Sequence, residues 1–212
     1  MEILTFPEAA TPAALRAQVL ELQEEAWPSQ SGQPLSPDRL SHDPALNPRS
    51  MLLVDREGKG EGKGEGKGEG DGENQGTVLA ALDILSKEIV HAGRRYAAAG
   101  LSTVVTRNAA RGQGHGRRLV IAAREEMAGG TVDVGLFTCD RPLQAFYEGA
   151  GWRVLPGTVL IGGTPEAPFP SDRPGFDKVT MACFFSEESR RREASFHDAR
   201  IALHPGGIDR LW

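Results

Sequence analysis

Six residues, Arg111-Gly112-Gln113-Gly114-His115-Gly116, followed by Arg117 and Arg118, have the composition of an anion site. Glycines let backbone N–H groups converge on a ligand with no Cβ in the way. A helix that starts at such a turn adds its partial positive end, and three arginines bring full charges that suit a ligand with several phosphates. A lone Gly-x-Gly turn is often only a tight connection, so the reading needs a second feature. The order is not a Walker A, because no Gly-Lys-Ser/Thr follows, and it lacks the three-glycine dinucleotide spacing.

Two elements must hold this turn in place. The β-branched run Ser102 to Thr106 predicts a strand before it, and Leu119, Val120, Ala123 and Met127 recur on one face of a predicted helix after it. Gly129 and Gly130 end that helix, and a further strand is predicted over Thr131 to Thr138.

The pattern Arg-x-x-Gly-x-Gly, directly after a strand and opening a helix, resembles the acyl-CoA pyrophosphate loop of the GNAT superfamily of N-acetyltransferases. A second match follows in order: Asp140 to Trp152, DRPLQAFYEGAGW, is similar to the superfamily's next helix. The resemblance implies an α/β fold of the GNAT acyl-CoA N-acyltransferase type, a mixed and mostly antiparallel sheet with helices on both faces. It implies acetyl-CoA as co-substrate, no metal, and direct attack of an amine on the thioester. The loop amides of Gly112, Gln113, Gly114, His115, Gly116 and Arg117 would then hold the pyrophosphate, with Arg111 and Arg117 as charge partners. Free N–H groups of Val104 and Thr106 would pair with the thioester and pantetheine, and Tyr147 would donate a proton to the leaving thiolate. Many members place a carboxylate on the strand before the loop as base. Here the equivalent position holds Ser102, with Asp83, His115 and the C-terminal carboxylate as substitutes.

From Gly149 onward the chain resembles the aminoglycoside 2'-N-acetyltransferases. GAGW is followed by Pro156-Gly157-Thr158-Val159-Leu160, then by the loop PEAPFPSDRPGFDKVTMA, then by an acidic residue near a final tryptophan. By position, Asp177 or Asp172 in the loop, Asp209 and Trp212 are the implied acceptor ligands, and Asp38 in the connection after the first helix is a further candidate. Asp209 stands three residues before Trp212, where the family has two. The favoured reading is acetylation of a small aminoglycoside-like amine. Acetylation of an amino acid, polyamine or protein amine is the alternative, as is an acyl-CoA-binding protein without turnover, which the missing strand carboxylate keeps open.

Composition agrees with one domain. The 212 residues are 39% hydrophobic, with no apolar run long enough to span a membrane and no signal-peptide pattern at MEILTFPEAATPAAL, so a cytoplasmic protein is expected. The net charge of −5 is concentrated in Glu57 to Glu73, which holds six acids and three lysines; the remainder, 23 acids against 21 bases, argues against a nucleic-acid binder. The sequence leaves a homodimer open. Cys139 and Cys183 form no metal or disulfide pattern and read as packing residues, with Cys139 a minor candidate for a reactive thiol.

In chain order, Thr11 reads as the N-cap of a helix with Pro12 at its first position and Leu15, Val19, Leu22 and Ala26 on one face, ended by Pro28. A Ser/Pro/Asp-rich connection leaves room for a short helix near Pro37 to His42. Strands are predicted at Ser50 to Asp55 and Thr77 to Val90, with the Glu-Gly-Lys tract at 57–76 as a disordered hairpin loop between them. Further strands are predicted at Arg94 to Thr106, Trp152 to Ile161 and Lys178 to Phe185, a helical composition at Ser186 to Leu203, and a tail at 204–212.

Overall fold

A computed structural model describes residues 1–28, 40–56 and 76–212. The chain opens with strand β1 (Glu2–Pro7) and helix α1 (Ala13–Ala26). Strands β2 (Arg49–Asp55), β3 (Thr77–His91) and β4 (Arg94–Thr106) follow, then helix α2 (His115–Gly129) and strand β5 (Val134–Asp140). The remainder is helix α3 (Gln144–Glu148), strands β6 (Arg153–Val154), β7 (Val159–Gly163), β8 (Pro168–Pro170) and β9 (Lys178–Phe184), helix α4 (Glu187–Arg191) and strand β10 (Arg200–Ala202).

Seven strands form one sheet in the order β1-β2-β3-β4-β5-β9-β6, antiparallel throughout except for the β4–β5 pair. Strand β3 lies inside this sheet and is buried on both sides, which is why it reads as a nearly continuous apolar run. Alternate residues serve different cores. Ala80, Leu82 and Ile84 pack with Leu119, Val120, Ala123 and Met127 of α2, whereas Ala81 packs with Leu15, Val19 and Leu22 of α1. Helix α1 therefore covers one face, and α2 and α3 the other.

Asp55 stands opposite Thr77 in antiparallel β2 and β3. The Glu-Gly-Lys tract itself, at 57–75, lies outside the described residues, as does Asp38.

Several boundaries differ from expectation for local reasons. Helix α1 begins at Ala13 with Pro12 in the capping position, and the Thr11 hydroxyl is buried without a partner rather than capping the helix. Strand β1 was not anticipated; it is a half-buried edge that pairs with β2 along its full length. Strand β5 starts at Val134, because Asp133 is used to bracket Ala97, its N–H on the Ala97 carbonyl and its carboxylate on the Ala97 N–H. The expected strand over Trp152 to Ile161 is broken by Pro156-Gly157, with Gly157 at φ 68°, and β7 leaves the main sheet. It forms a second sheet in the order β10-β7-β8. The expected helix over Ser186 to Leu203 is α4, a 3₁₀ turn at Glu193–Phe196, and then β10. Of the short helix expected near Pro37 to His42, residues 37–39 lie outside the described residues and Leu40 to His42 are not helical; a 3₁₀ turn lies at Pro44–Leu46.

Two irregularities in β4 create the site. Against β3, Ala81 faces Val105 and Asp83 faces Ser102, so Leu82 stands opposite both Thr103 and Val104. This is a β-bulge, with Thr103 in the left-handed region at φ 48°. Against β5, only Ala98–Val134 and Ala99–Gly135 pair before the strands separate.

Candidate active site

The separation of β4 and β5 opens a cleft of about 450 Å³ lined by Val104 to Thr106, the glycine turn, the first turn of α2, and Leu143, Phe146 and Tyr147. One wall is backbone. Arg107 N–H donates to the Leu79 carbonyl of β3, and because strand amides alternate in direction, that of Thr106 points away from β3; Val104, at the bulge, lines the cleft with it. Arg111 Nε reaches the Thr106 carbonyl, on that same side, at 3.2 Å.

The turn at the mouth is shaped for close approach. Gly112 and Gly114 adopt φ 78° and 81°, and nothing lies within 4 Å of where a Cβ would stand on either. Gly114 is the N-cap of α2 and supplies no side-chain cap, so the amides of the first turn are left to a ligand or to solvent. Gly116 meets a different demand: a Cβ there would sit 2.7 Å from Thr106 Oγ1, so the helix end packs directly on β4. His115 is buried at the helix start with Nε2 at 3.2 Å from Gln113 Oε1, and Arg117 Nε donates to the Gly149 carbonyl at 2.9 Å. Open left-handed glycines, an uncapped helix end and arginines fit a pyrophosphate. Gly114→Trp should therefore weaken acetyl-CoA binding roughly 100-fold or more, the equivalent of about 2.7 kcal/mol; undiminished binding in calorimetry would remove the turn from the site.

Tyr147, 6% exposed, lines the opposite wall. Its ring meets Phe137 and Phe146 edge-on, both at 4.9 Å between centroids. Burial, with smaller contributions from Cys139 and Asp140, pushes its pKa well above the usual tyrosine value, so it stays a neutral phenol. No described residue pairs with its hydroxyl. Cys139 is buried and free, and burial pushes its thiol up to about 11, the opposite of activation.

The acidic residues assigned to the acceptor are distributed differently. Asp172 pairs with Arg200 at 2.7 Å and Asp177 with Arg141 at 2.7 Å, both at the surface. Asp209 is buried and accepts from the Asp43 N–H at 3.0 Å. Its other oxygen is 2.6 Å from His42 Nδ1, and His42 Nε2 is 3.2 Å from Asp83. Asp83 also accepts from Ser50 Oγ at 2.6 Å and from Thr103 Oγ1, on the bulge, at 2.5 Å. Both Asp83 oxygens are therefore engaged within this buried cluster. His42 was not singled out from the sequence. The available signal was its counterpart, a carboxylate inside the apolar run TVLAALDILSKEIV, which must be paired if buried. Burial opposes the charge on His42, but its hydrogen bonds to Asp209 and Asp83 and their charges outweigh that and raise it to about 10. Trp212 donates from Nε1 to the Leu136 carbonyl at 2.7 Å.

No protein-family model and no curated protein matches the sequence. Solved structures do match its fold. An acyl-CoA N-acyltransferase from Pseudomonas aeruginosa is 17% identical, with 85% of this chain and 97% of that chain covered and a TM-score of 0.51. Aminoglycoside 6'-acetyltransferase type Ii is 17% identical over 88% of this chain and 98% of that one, TM-score 0.55. An aminoglycoside 6'-N-acetyltransferase complexed with coenzyme A is 15% identical over 88% and 98%, TM-score 0.52. The fold is that of the GNAT acyl-CoA N-acyltransferases. Among the described residues, no helix is long and apolar enough to cross a membrane.

Proposed function

We propose that this chain is an acetyl-CoA-dependent N-acetyltransferase acting on a small-molecule amine, with an aminoglycoside-like acceptor favoured. The observation that carries the reading is the cleft between β4 and β5, which presents the Thr106 amide on one wall, a phenol on the other and an uncapped glycine turn at its mouth. Bound there, acetyl-CoA supplies an acetyl thioester. The acceptor nitrogen forms the new C–N bond and the C–S bond breaks. The Thr106 amide, with Val104 beside it, serves the thioester and pantetheine, and Tyr147 the departing sulfur. The ammonium form of the acceptor must first give up a proton to water or a base.

The acceptor reading is supported by the resemblance from Gly149 onward and by the two aminoglycoside acetyltransferases among the similar folds. Release of free CoA should be measured with aminoglycosides, polyamines, amino acids and short peptides. Saturable release on aminoglycosides alone is the expected result. Release on another class keeps the transferase and replaces the acceptor; acetyl-CoA binding with no release on any amine would leave a binding protein.

A further inference from the structure

The rung that would follow Ala99–Gly135 in the β4–β5 ladder involves Gly100 and Leu136, and it is not formed. The Leu136 carbonyl accepts instead from Trp212 Nε1. A Cβ on Gly100 would lie 2.7 Å from Trp212 Cδ1, so the indole rests directly on β4 backbone while bonded to β5. On the opposite face a Cβ on Gly135 would lie 2.7 Å from Trp152 Cζ3. The two strands part between two indoles, each seated on a glycine.

Trp212 is held there by the segment before it. Gly163 N–H donates to the Arg210 carbonyl at 2.9 Å, Leu211 is buried in the core that residues of both sheets share, and Asp209 is bound by His42 and by the Asp43 N–H. His42 in turn reaches Asp83, which also takes the Thr103 hydroxyl at the β4 bulge. The same buried cluster therefore ties residue 209 to the bulge just before Val104, one wall of the cleft.

We infer that Trp212 is a wedge that keeps β4 and β5 apart, and that His42 and Asp209 are positioning residues that lock it in place, so that these residues set the width of the inner end of the acyl-CoA cleft. Without the indole the Leu136 carbonyl is free to take a β4 amide and the ladder can close toward Val104, about 13 Å further along the strand. The consequence for acyl-CoA rests on the seat assigned to it above; the wedge itself does not.

The test is hydrogen exchange on the free protein, combined with acetyl-CoA titration, for wild type, Trp212→Ala, Trp212→Phe and Asp209→Asn. With Trp212→Ala, amides at 100–103 and 136–138 should exchange about tenfold or more slowly as the ladder extends, and acetyl-CoA should bind about tenfold or more weakly. Asp209→Asn should speed exchange of the Trp212 indole N–H while global unfolding shifts less. Trp212→Phe, which keeps a ring but no donor, should fall between wild type and Trp212→Ala at the fork amides, and it remains informative if the alanine variant folds poorly. Unchanged exchange at the fork in both Trp212 variants overturns the wedge. If wild type fails to bind acetyl-CoA, the cleft assignment falls, and the exchange measurement still decides the wedge.

Discussion

Tyr147→Phe is expected to lower kcat about 10²–10³-fold, the usual cost of removing one donor from a developing anion, with the dissociation constant of acetyl-CoA nearly unchanged. Phenylalanine keeps the edge-on packing against Phe137 and Phe146, so the fold and the cleft wall persist. What is lost is a hydroxyl that no described residue engages and that stays protonated because burial raises its pKa. A thiol ordinarily titrates near 8.5, below this phenol, so full transfer from Tyr147 to a departing thiolate runs uphill. In the proposed reaction its contribution would then be a hydrogen bond to sulfur that strengthens as negative charge develops, with the proton supplied finally from solvent. A kcat equal to wild type in a CoA-release assay would reduce Tyr147 to a packing residue.

What the sequence made legible was local. The glycine turn is specified by two left-handed residues within three positions, Gly112 and Gly114, and by the helical periodicity after it. The expected strand bounds at Arg94 and Thr106 are those of β4, because alternation and a preceding two-residue turn, Ala92-Gly93, both act over a few residues. What was not legible depends on pairing across long separations. His42 meets Asp83 and Asp209 across 41 and 167 residues, and nothing near residue 42 signals a buried imidazole. The bulge at Thr103 is a property of the β3–β4 register, not of either strand. Strand β10 is three residues within a charged stretch and exists because Ile201 is buried beside β7. Asp172 and Asp177 were placed by resemblance alone, and arginines from distant segments, Arg200 and Arg141, decide their surroundings.

His42→Ala should destabilise the protein by about 3–5 kcal/mol, because it leaves two buried carboxylates with hydroxyl and amide donors but no cation between them. That is a large share of the roughly 5–15 kcal/mol that holds a domain together. Removing the charges as well, in His42→Gln combined with Asp83→Asn and Asp209→Asn, should recover a substantial part of the loss, since the penalty arises from the unpaired acids rather than from the missing ring. The effect also has a direction with pH. His42 titrates near 6.5 when unfolded and at about 10 when folded, so between these values the folded chain holds a proton that the unfolded chain has released. Its stabilising contribution is complete below about pH 6.5, shrinks as pH rises, and is gone above about 10. Asp83 and Asp209 are the charged groups facing the ring, and both remain in His42→Gln, so the difference between wild type and that variant isolates the imidazole. Urea unfolding of the two proteins at pH 6, 8 and 10 should show the gap closing with pH, and a gap that stays constant would mean that His42 is neutral in the folded protein.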